Sequence, residues 1–386
     1  MNTSASPEAL SASSDRAACR RGFRRVRRWT AALAAACLVS GAALATNFDP
    51  GTASAAYDVG AGLPVPAAGE SGAPMVIDGF GAPGAFSEVV ATDEACRGCP
   101  RWTGQVDALM LWEGVIASRP LFVDSVTGLT ALDANQLQPA VTAAPRYALM
   151  YHRDACRAIE LNYFELWGFN ATQPLPVTAG GYTMSNLAGL NFPDTDTAAA
   201  TASGHIKSFE INLRRSNGGS IRWLTGFRWV EWGQQLGITD VALGGAVTDA
   251  FDVRTLNNLY GWQWGVDAML SNGGGPLRVN GIAKAGVYYN YQAQQGTTYF
   301  DGVNPPVSLG GSRDGVAFMG EVGLNASLSI THWLAWRAGY SVFWLSGLAV
   351  PAGQLAVTDV ASGTASINMN GSVLLHGVTT GLEARW

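Results

Sequence analysis

Seven basic and seven acidic side chains recur on the polar face of alternating segments in the chain: Arg214, Arg222, Arg228, Arg278, Lys284, Arg337 and Arg385 against Asp107, Glu113, Glu160, Glu210, Asp267, Glu321 and Glu383. Balanced charges sharing one face can do two things. Packed together, they neutralise one another through ion pairs and hydrogen bonds; spread along a wet path, they select solutes. In a narrow interior an unpaired charge carries a large desolvation cost, so pairing is the expected outcome.

Other reactive side chains are sparse. Hydrolysis needs a base within hydrogen-bond reach of its nucleophile, and there are only four histidines, His152, His205, His332 and His376. Ser216-Asn217-Gly218 has the order of a lipase-like triplet but no His shortly before it, and it reads as a hairpin turn. Cys96-Arg97-Gly98-Cys99 has redox or metal spacing, yet a zinc site takes four ligands and no second pair exists. A disulfide from Cys156 to Cys96 or Cys99 is the preferred reading in an oxidising compartment, provided the Cα atoms come within about 7 Å. Asp240, Asp249 and Asp252 lack the dense oxygen spacing of a calcium loop. No catalytic, cofactor or metal site is expected.

The elements that must position these groups are strands, because the dominant period is two. Trp102, Gly104, Val106, Ala108, Met110 and Trp112 alternate with Thr103, Gln105, Asp107, Leu109, Leu111 and Glu113, so one face is apolar with a Trp at each end and the other is mixed. Ten steps of about 3.3 Å tilted by about 40° project to about 25 Å, the height of a lipid-facing band with aromatic girdles. Similar runs follow at Tyr147, Leu149 and Tyr151; at Phe209, Ile211 and Leu213; at Trp223, Phe227 and Trp229; at Tyr260, Trp262 and Trp264; and onward to the C-terminus. The run from Ala155 to Trp167 alternates less cleanly.

Ten strands are predicted in this way. Four connections are tight, around 153–154, 216–219, 271–276 and 330–332, and five are long, about 114–144, 169–204, 233–250, 291–315 and 347–370. Strict alternation of short and long is the up-and-down pattern of an outer-membrane barrel with periplasmic turns and extracellular loops. An even count leaves both termini periplasmic. On that topology His152 and His332 lie by periplasmic turns, His205 at an outer strand end and His376 on the lipid-facing side.

Composition agrees. Of 386 residues 48% are hydrophobic, only 14% charged and two are Lys, which excludes disorder and nucleic-acid binding. Arg16 to Arg28, an apolar run from Trp29 and the small-x-small pattern Ala43-Leu44-Ala45 read as a secretory signal peptide. A signal anchor would want about 20 apolar residues, and Cys37 sits in a poor context for lipidation. Cleavage after Ala45 leaves 17 basic against 27 acidic residues, an acidic exported chain. After it, no run is apolar and long enough for a transmembrane helix.

Three stretches carry a family resemblance: Asn257-Asn258-Leu259-Tyr260-Gly261-Trp262-Gln263-Trp264-Gly265; Gly339-Tyr340 through Trp344-Leu345 and Gly347-Leu348-Ala349-Val350; and His376-Gly377 with Gly381-Leu382-Glu383-Ala384-Arg385-Trp386. Over residues 102–386 the chain resembles the planctomycete beta-barrel porin family seven. The resemblance implies an outer-membrane β-barrel in that bacterial phylum and little about activity. The alternating last strand with Gly381, Ala384 and the terminal aromatic Trp386 is also similar to the C-terminal signal read by bacterial barrel-assembly machinery.

The expected organisation is a signal peptide (1–45), a Gly/Ala/Pro-rich periplasmic linker or partial plug (46–101), and an all-β, up-and-down antiparallel transmembrane barrel of about ten strands (102–386). Asp107, Glu210, Arg222, Arg228, Asp267, Lys284, Glu321, Arg337, Glu383 and Arg385 form its expected lumen network. Open aqueous channels belong to barrels of about 16 strands or more. A structural or surface-presenting role in the outer membrane, with lipid and the assembly machinery as partners, therefore ranks above a narrow solute channel, and both rank above a rim hydrolase.

Overall fold

A computed structural model describes residues 100–386 apart from 115–119, 155, 176–179, 185–190, 193–196, 217–219, 242–246, 273–274, 301–304 and 360–361. The expected signal peptide, nearly all of the 46–101 segment, Cys96 and Cys99 lie outside the described residues, as does most of the 216–219 turn.

Ten strands close into a ring: β1 (Trp102–Glu113), β2 (Thr142–His152), β3 (Arg157–Trp167), β4 (Thr197–Ser216), β5 (Ile221–Val241), β6 (Val247–Asn272), β7 (Leu277–Phe300), β8 (Val307–Ser329), β9 (Leu334–Leu348) and β10 (Gly371–Arg385). Each pairs antiparallel with its neighbour in the chain, and β10 returns to β1 from Thr103↔Arg385 to Glu113↔Leu375. The fold is the predicted up-and-down transmembrane barrel.

Its stagger can be read from the register. Partners followed from Arg385 through Thr103, Met150, Glu160, Asn212, Gly226, Gln263, Gly286, Met319 and Leu345 arrive at Val373, twelve residues before the start. Twelve residues of about 3.3 Å over ten spacings of about 4.8 Å tilt the strands by about 40°. Each hydrogen-bonded step toward a higher strand number therefore climbs the barrel axis, away from the tight turns.

Alternation places the apolar residues outside. Ile159, Leu161 and Tyr163 stand between outward Arg157 and Glu165 on β3, and Leu213, Ile211 and Phe209 between outward Arg215 and Lys207 on β4. Eight residues at that tilt span about 20 Å, close to the apolar band of a membrane barrel. Trp223, Trp264 and Trp167 remain more than half exposed on this surface, which only a hydrocarbon surround makes favourable. At the upper edge Lys207 Nζ lies 2.9 Å from Glu231 and 3.9 Å from Glu165, beneath Trp167 stacked on His205.

The expected long connections 233–250 and 291–315 are largely strand instead. β5 and β6 continue to pair up to Val241↔Val247, and β7 and β8 from Thr297↔Leu309 upward. The cause is a second apolar core above the membrane. Leu236, Ile238, Phe251 and Val253 meet Leu121, Phe122, Leu132, Tyr182 and Met184, which come from the first two outer connections. Those connections carry a small sheet of Pro120–Asp124, Thr130–Asp133, Tyr182–Met184 and Asn191–Phe192. The turn after Asp124 is tied by its carboxylate, which accepts from the N–H groups of Thr127 (2.7 Å) and Val126 (2.9 Å). The Thr127 bond is the main cause that holds this carboxyl below its ordinary pKa.

The last outer connection turns inward. Gly347 has φ +78°, and a Cβ there would meet Val316 O at 2.5 Å, so a glycine is needed where the chain leaves the wall. Ala349, Gln354 and Leu355 are then almost fully buried around the short helix Pro351–Gln354.

Candidate functional site

The lumen is the one place where charge, burial and a cavity coincide among the described residues. Strand alternation points alternate side chains inward, and the different residue types at successive heights divide the interior into three layers.

The lowest layer is a polar vestibule of about 380 Å³ next to the tight turns. Two charge clusters line it. Arg214 is ion-paired to Glu160 and donates to Asp267 at 3.0 Å, and Asn280 donates to the same carboxylate at 3.2 Å. Opposite, Arg337 lies 4.0 Å from Asp107 and 3.7 Å from Glu383, which also binds Arg385 at 2.5 Å and accepts from Gln105 at 3.0 Å. Arg222 and Arg278 line the vestibule with no ion pair among the described residues, although Arg222 is the cross-strand partner of Asp267. His152 lies beside the vestibule with Thr103 Oγ1 3.0 Å away.

Above it lies a buried tetrad. Arg228 Nη1 is 2.8 Å from Glu321 and 3.4 Å from Glu210; Lys284 Nζ is 2.9 Å from Glu210 and 3.4 Å from Glu321. All four side chains are within 2% of complete burial. Further partners surround them: Arg228 Nε donates to Ser208 at 3.0 Å, Asn212 and Gln263 donate to Glu210 at 3.0 and 2.9 Å, and Arg146 approaches Glu321 at 3.8 Å, while Arg228 Nη2 is buried with no hydrogen-bond partner among the described residues. Buried charges persist when paired and hydrogen-bonded in this way.

The third layer is apolar. Leu109, Leu111, Phe164, Leu166, Ile206, Val230, Trp232, Leu259, Phe343, Leu345 and Leu375 point inward and form one cluster, each 2% exposed or less. The inward turn of the last connection seals it through amides. Asn257 Nδ2 donates to Ala349 O at 2.9 Å while Asn257 Oδ1 accepts from Ala349 N at 2.8 Å; Asn290 donates to Gly347 O at 3.0 Å and to Asn257 at 3.2 Å.

Of the expected network, Glu210, Arg228, Lys284 and Glu321 form one group, Asp107, Arg337, Glu383 and Arg385 a second, and Asp267 a third with Glu160 and Arg214. Glu113, also expected on this face, sits higher and accepts from Gln234 at 2.9 Å. Arg146, Asn212, Gln263, Asn257 and Asn290 were not singled out as site members. The charged arginine facing away from Tyr147 was the available signal for the first of these; the amides give none outside their three-dimensional setting.

The remaining expected groups fall elsewhere. Gly381 faces Asp107 across the seam, where a Cβ would meet Val106 O at 2.1 Å. Ala384 pairs with Gly104, and Trp386 is joined to Trp102 by two backbone bonds of 2.9 and 3.0 Å, its ring lying over Gly104. Cys156 is exposed and has no disulfide partner among the described residues, its expected partners Cys96 and Cys99 lying outside them. His205 bonds Glu231 at 3.1 Å on the outer wall, and His376 meets Tyr340 OH at 2.9 Å on the lipid side. No cluster of three metal-ligating side chains occurs among the described residues.

No protein-family model matches the chain, and no curated protein matches its sequence. Solved structures with similarity include the outer membrane protease OmpT from Escherichia coli, with 11% identity, covering 74% of this chain and 96% of that one at a TM-score of 0.40. The P. putida toluene transporter TodX shows 9% identity, 77% and 93% coverage and a TM-score of 0.33. The translocator domain of the autotransporter NalP from Neisseria meningitidis shows 9% identity, 76% and 91% coverage and a TM-score of 0.35. Likeness at this level adds nothing to the barrel already described.

Proposed function

We propose that this protein is an outer-membrane barrel with a structural and surface-presenting role, exported by a signal peptide that ends at Ala45, with both termini periplasmic. The carrying observation is the filled cross-section. Side chains that line an aqueous path keep accessible surface, whereas the tetrad and the apolar layer above it keep almost none. The extended strands β4 to β8 and the sheet between them then serve as a rigid platform presented above the membrane. The reading is non-enzymatic, and the lipid bilayer and the barrel-assembly machinery, engaging Gly381, Ala384 and Trp386, are its proposed partners.

A narrow channel is the second reading, favoured by the vestibule, which enters from the tight-turn end and stops at Arg146 and Glu321. Planar-bilayer recording on refolded mature protein that shows heat-dependent gel mobility tests the choice. Silence is expected. Stable, reproducible conductance steps would overturn the structural role and make the vestibule charges selectivity elements.

A further inference from the structure

We infer that the outer wall near the tight turns carries a specific site for one anionic phospholipid, its headgroup on Arg157 and Arg215 and its acyl chains in a groove across β5 to β9. The two arginines are direct cross-strand partners, Arg157↔Arg215, and both are exposed on the outward face. Like charges directly opposite in a sheet repel. Among the described residues, Arg215 has no ion pair and Arg157 has only Asp154 at 4.0 Å, while Arg153 adds a further positive charge from the turn. A cationic pair at the lower edge of an apolar band, with Asp154 at 4.0 Å as its one protein anion among the described residues, fits the phosphate of a lipid in the adjoining leaflet.

The wall beside the pair has the shape for the rest of the molecule. Trp264, Ala285, Gly320 and Trp344 are consecutive cross-strand partners on the outward face, so two exposed Trp rings wall a floor of Ala and Gly. Ala283 prolongs the floor one row toward the turns. This groove is continuous with Arg157 and Arg215 and measures about 1330 Å³, beyond the range of small-molecule pockets. Strand tilt assists, because a chain rising from the arginines along the axis is carried toward higher strand numbers, where the groove lies.

Assigning the lipid to the inner leaflet rests on the proposed periplasmic orientation of the tight turns. Binding itself does not, so it is tested in detergent, independently of orientation and of conduction. Native mass spectrometry of the refolded barrel with dioleoyl phosphatidylglycerol and dioleoyl phosphatidylcholine at equal concentration reads the site directly. One phosphatidylglycerol is expected to be retained preferentially, by about fivefold per arginine. Arg157→Gln with Arg215→Gln should remove the preference, each single variant should reduce it, and Arg215→Lys should retain it. Ala285→Leu, which fills the floor, should lower retention of both lipids and leave their ratio. Equal retention by the wild-type protein, or a preference unchanged in folded glutamine variants, would overturn the assignment; the single variants keep the test available should the double one fail to fold.

Discussion

The two halves of the lumen are filled by opposite means. Toward the tight turns the interior is charged and encloses a vestibule; toward the long connections it is apolar and closed by one of them folded back into the barrel. The wall is the same in both, with the same tilt and alternation, so the difference lies in which side chains occupy the inward positions. Where water reaches, as around Arg337 at 17% side-chain exposure, charge is inexpensive to hold. Where it does not, only an ion-paired tetrad or hydrocarbon will do.

That contrast is most sharply tested at the boundary. Arg228→Ala leaves Glu210 and Glu321 facing Lys284 in a site without access to solvent, and removal of one partner from a buried ionic group costs about 3–5 kcal/mol. Denaturant unfolding followed by Trp fluorescence should show that loss, while bilayer recordings stay silent because the apolar layer above is intact. Conductance in this variant would mean that the tetrad, not the hydrocarbon, closes the barrel. Leu111→Ala probes the other side, deleting apolar volume with no polar group to recruit water, at about 2–5 kcal/mol. A loss far below this range would show that water reaches the upper layer.

How far these layers were legible in the sequence differs between them. Strands, facing and ring order followed from the period of two, and the charges on the inward face were visible as charges. The apolar layer was present as a disturbance of that pattern. Leu109 and Leu111 interrupt the polar face of β1, and Phe164 and Leu166 are what make the 155–167 run alternate poorly. Pairing could not be read, because Arg228 and Glu321 are 93 positions apart and meet only through the stagger of the ring. The continuation of β4 to β8 above the membrane was hidden as well. Its stability comes from residues such as Phe122 and Tyr182, on other connections, and not from a strand pattern of its own.

Asn257 lies where the apolar layer meets the infolded connection, and it belongs to one of the stretches that carry the family resemblance, as do Gly347 and Ala349. The structure joins those stretches: a single amide satisfies both backbone groups of Ala349. Asn257→Ala would leave these without partners and Asn290 with its bond to Gly347 O alone, a loss of about 1–3 kcal/mol. Hydrogen exchange should localise the change to residues 347–357. A uniform change across the barrel would mean that Asn257 supports the wall and does not fasten the connection.

The smallest effect is expected at the vestibule wall. Arg337 is partly exposed, and its contacts with Asp107 and Glu383, at 4.0 and 3.7 Å, are long. Water can take over as partner on either side, so Arg337→Gln should cost no more than about 1 kcal/mol. The part that is lost should also depend on salt, since exposed charges are screened over a Debye length of about 10 Å at 0.1 M. The difference between wild type and Arg337→Gln should therefore shrink as salt is raised, whereas that between wild type and Arg228→Ala should stay constant. If both differences shrink alike, the tetrad shares the solvent of the vestibule and the proposed seal between the layers fails; if neither shrinks, the vestibule is itself dry and its charges belong with the tetrad.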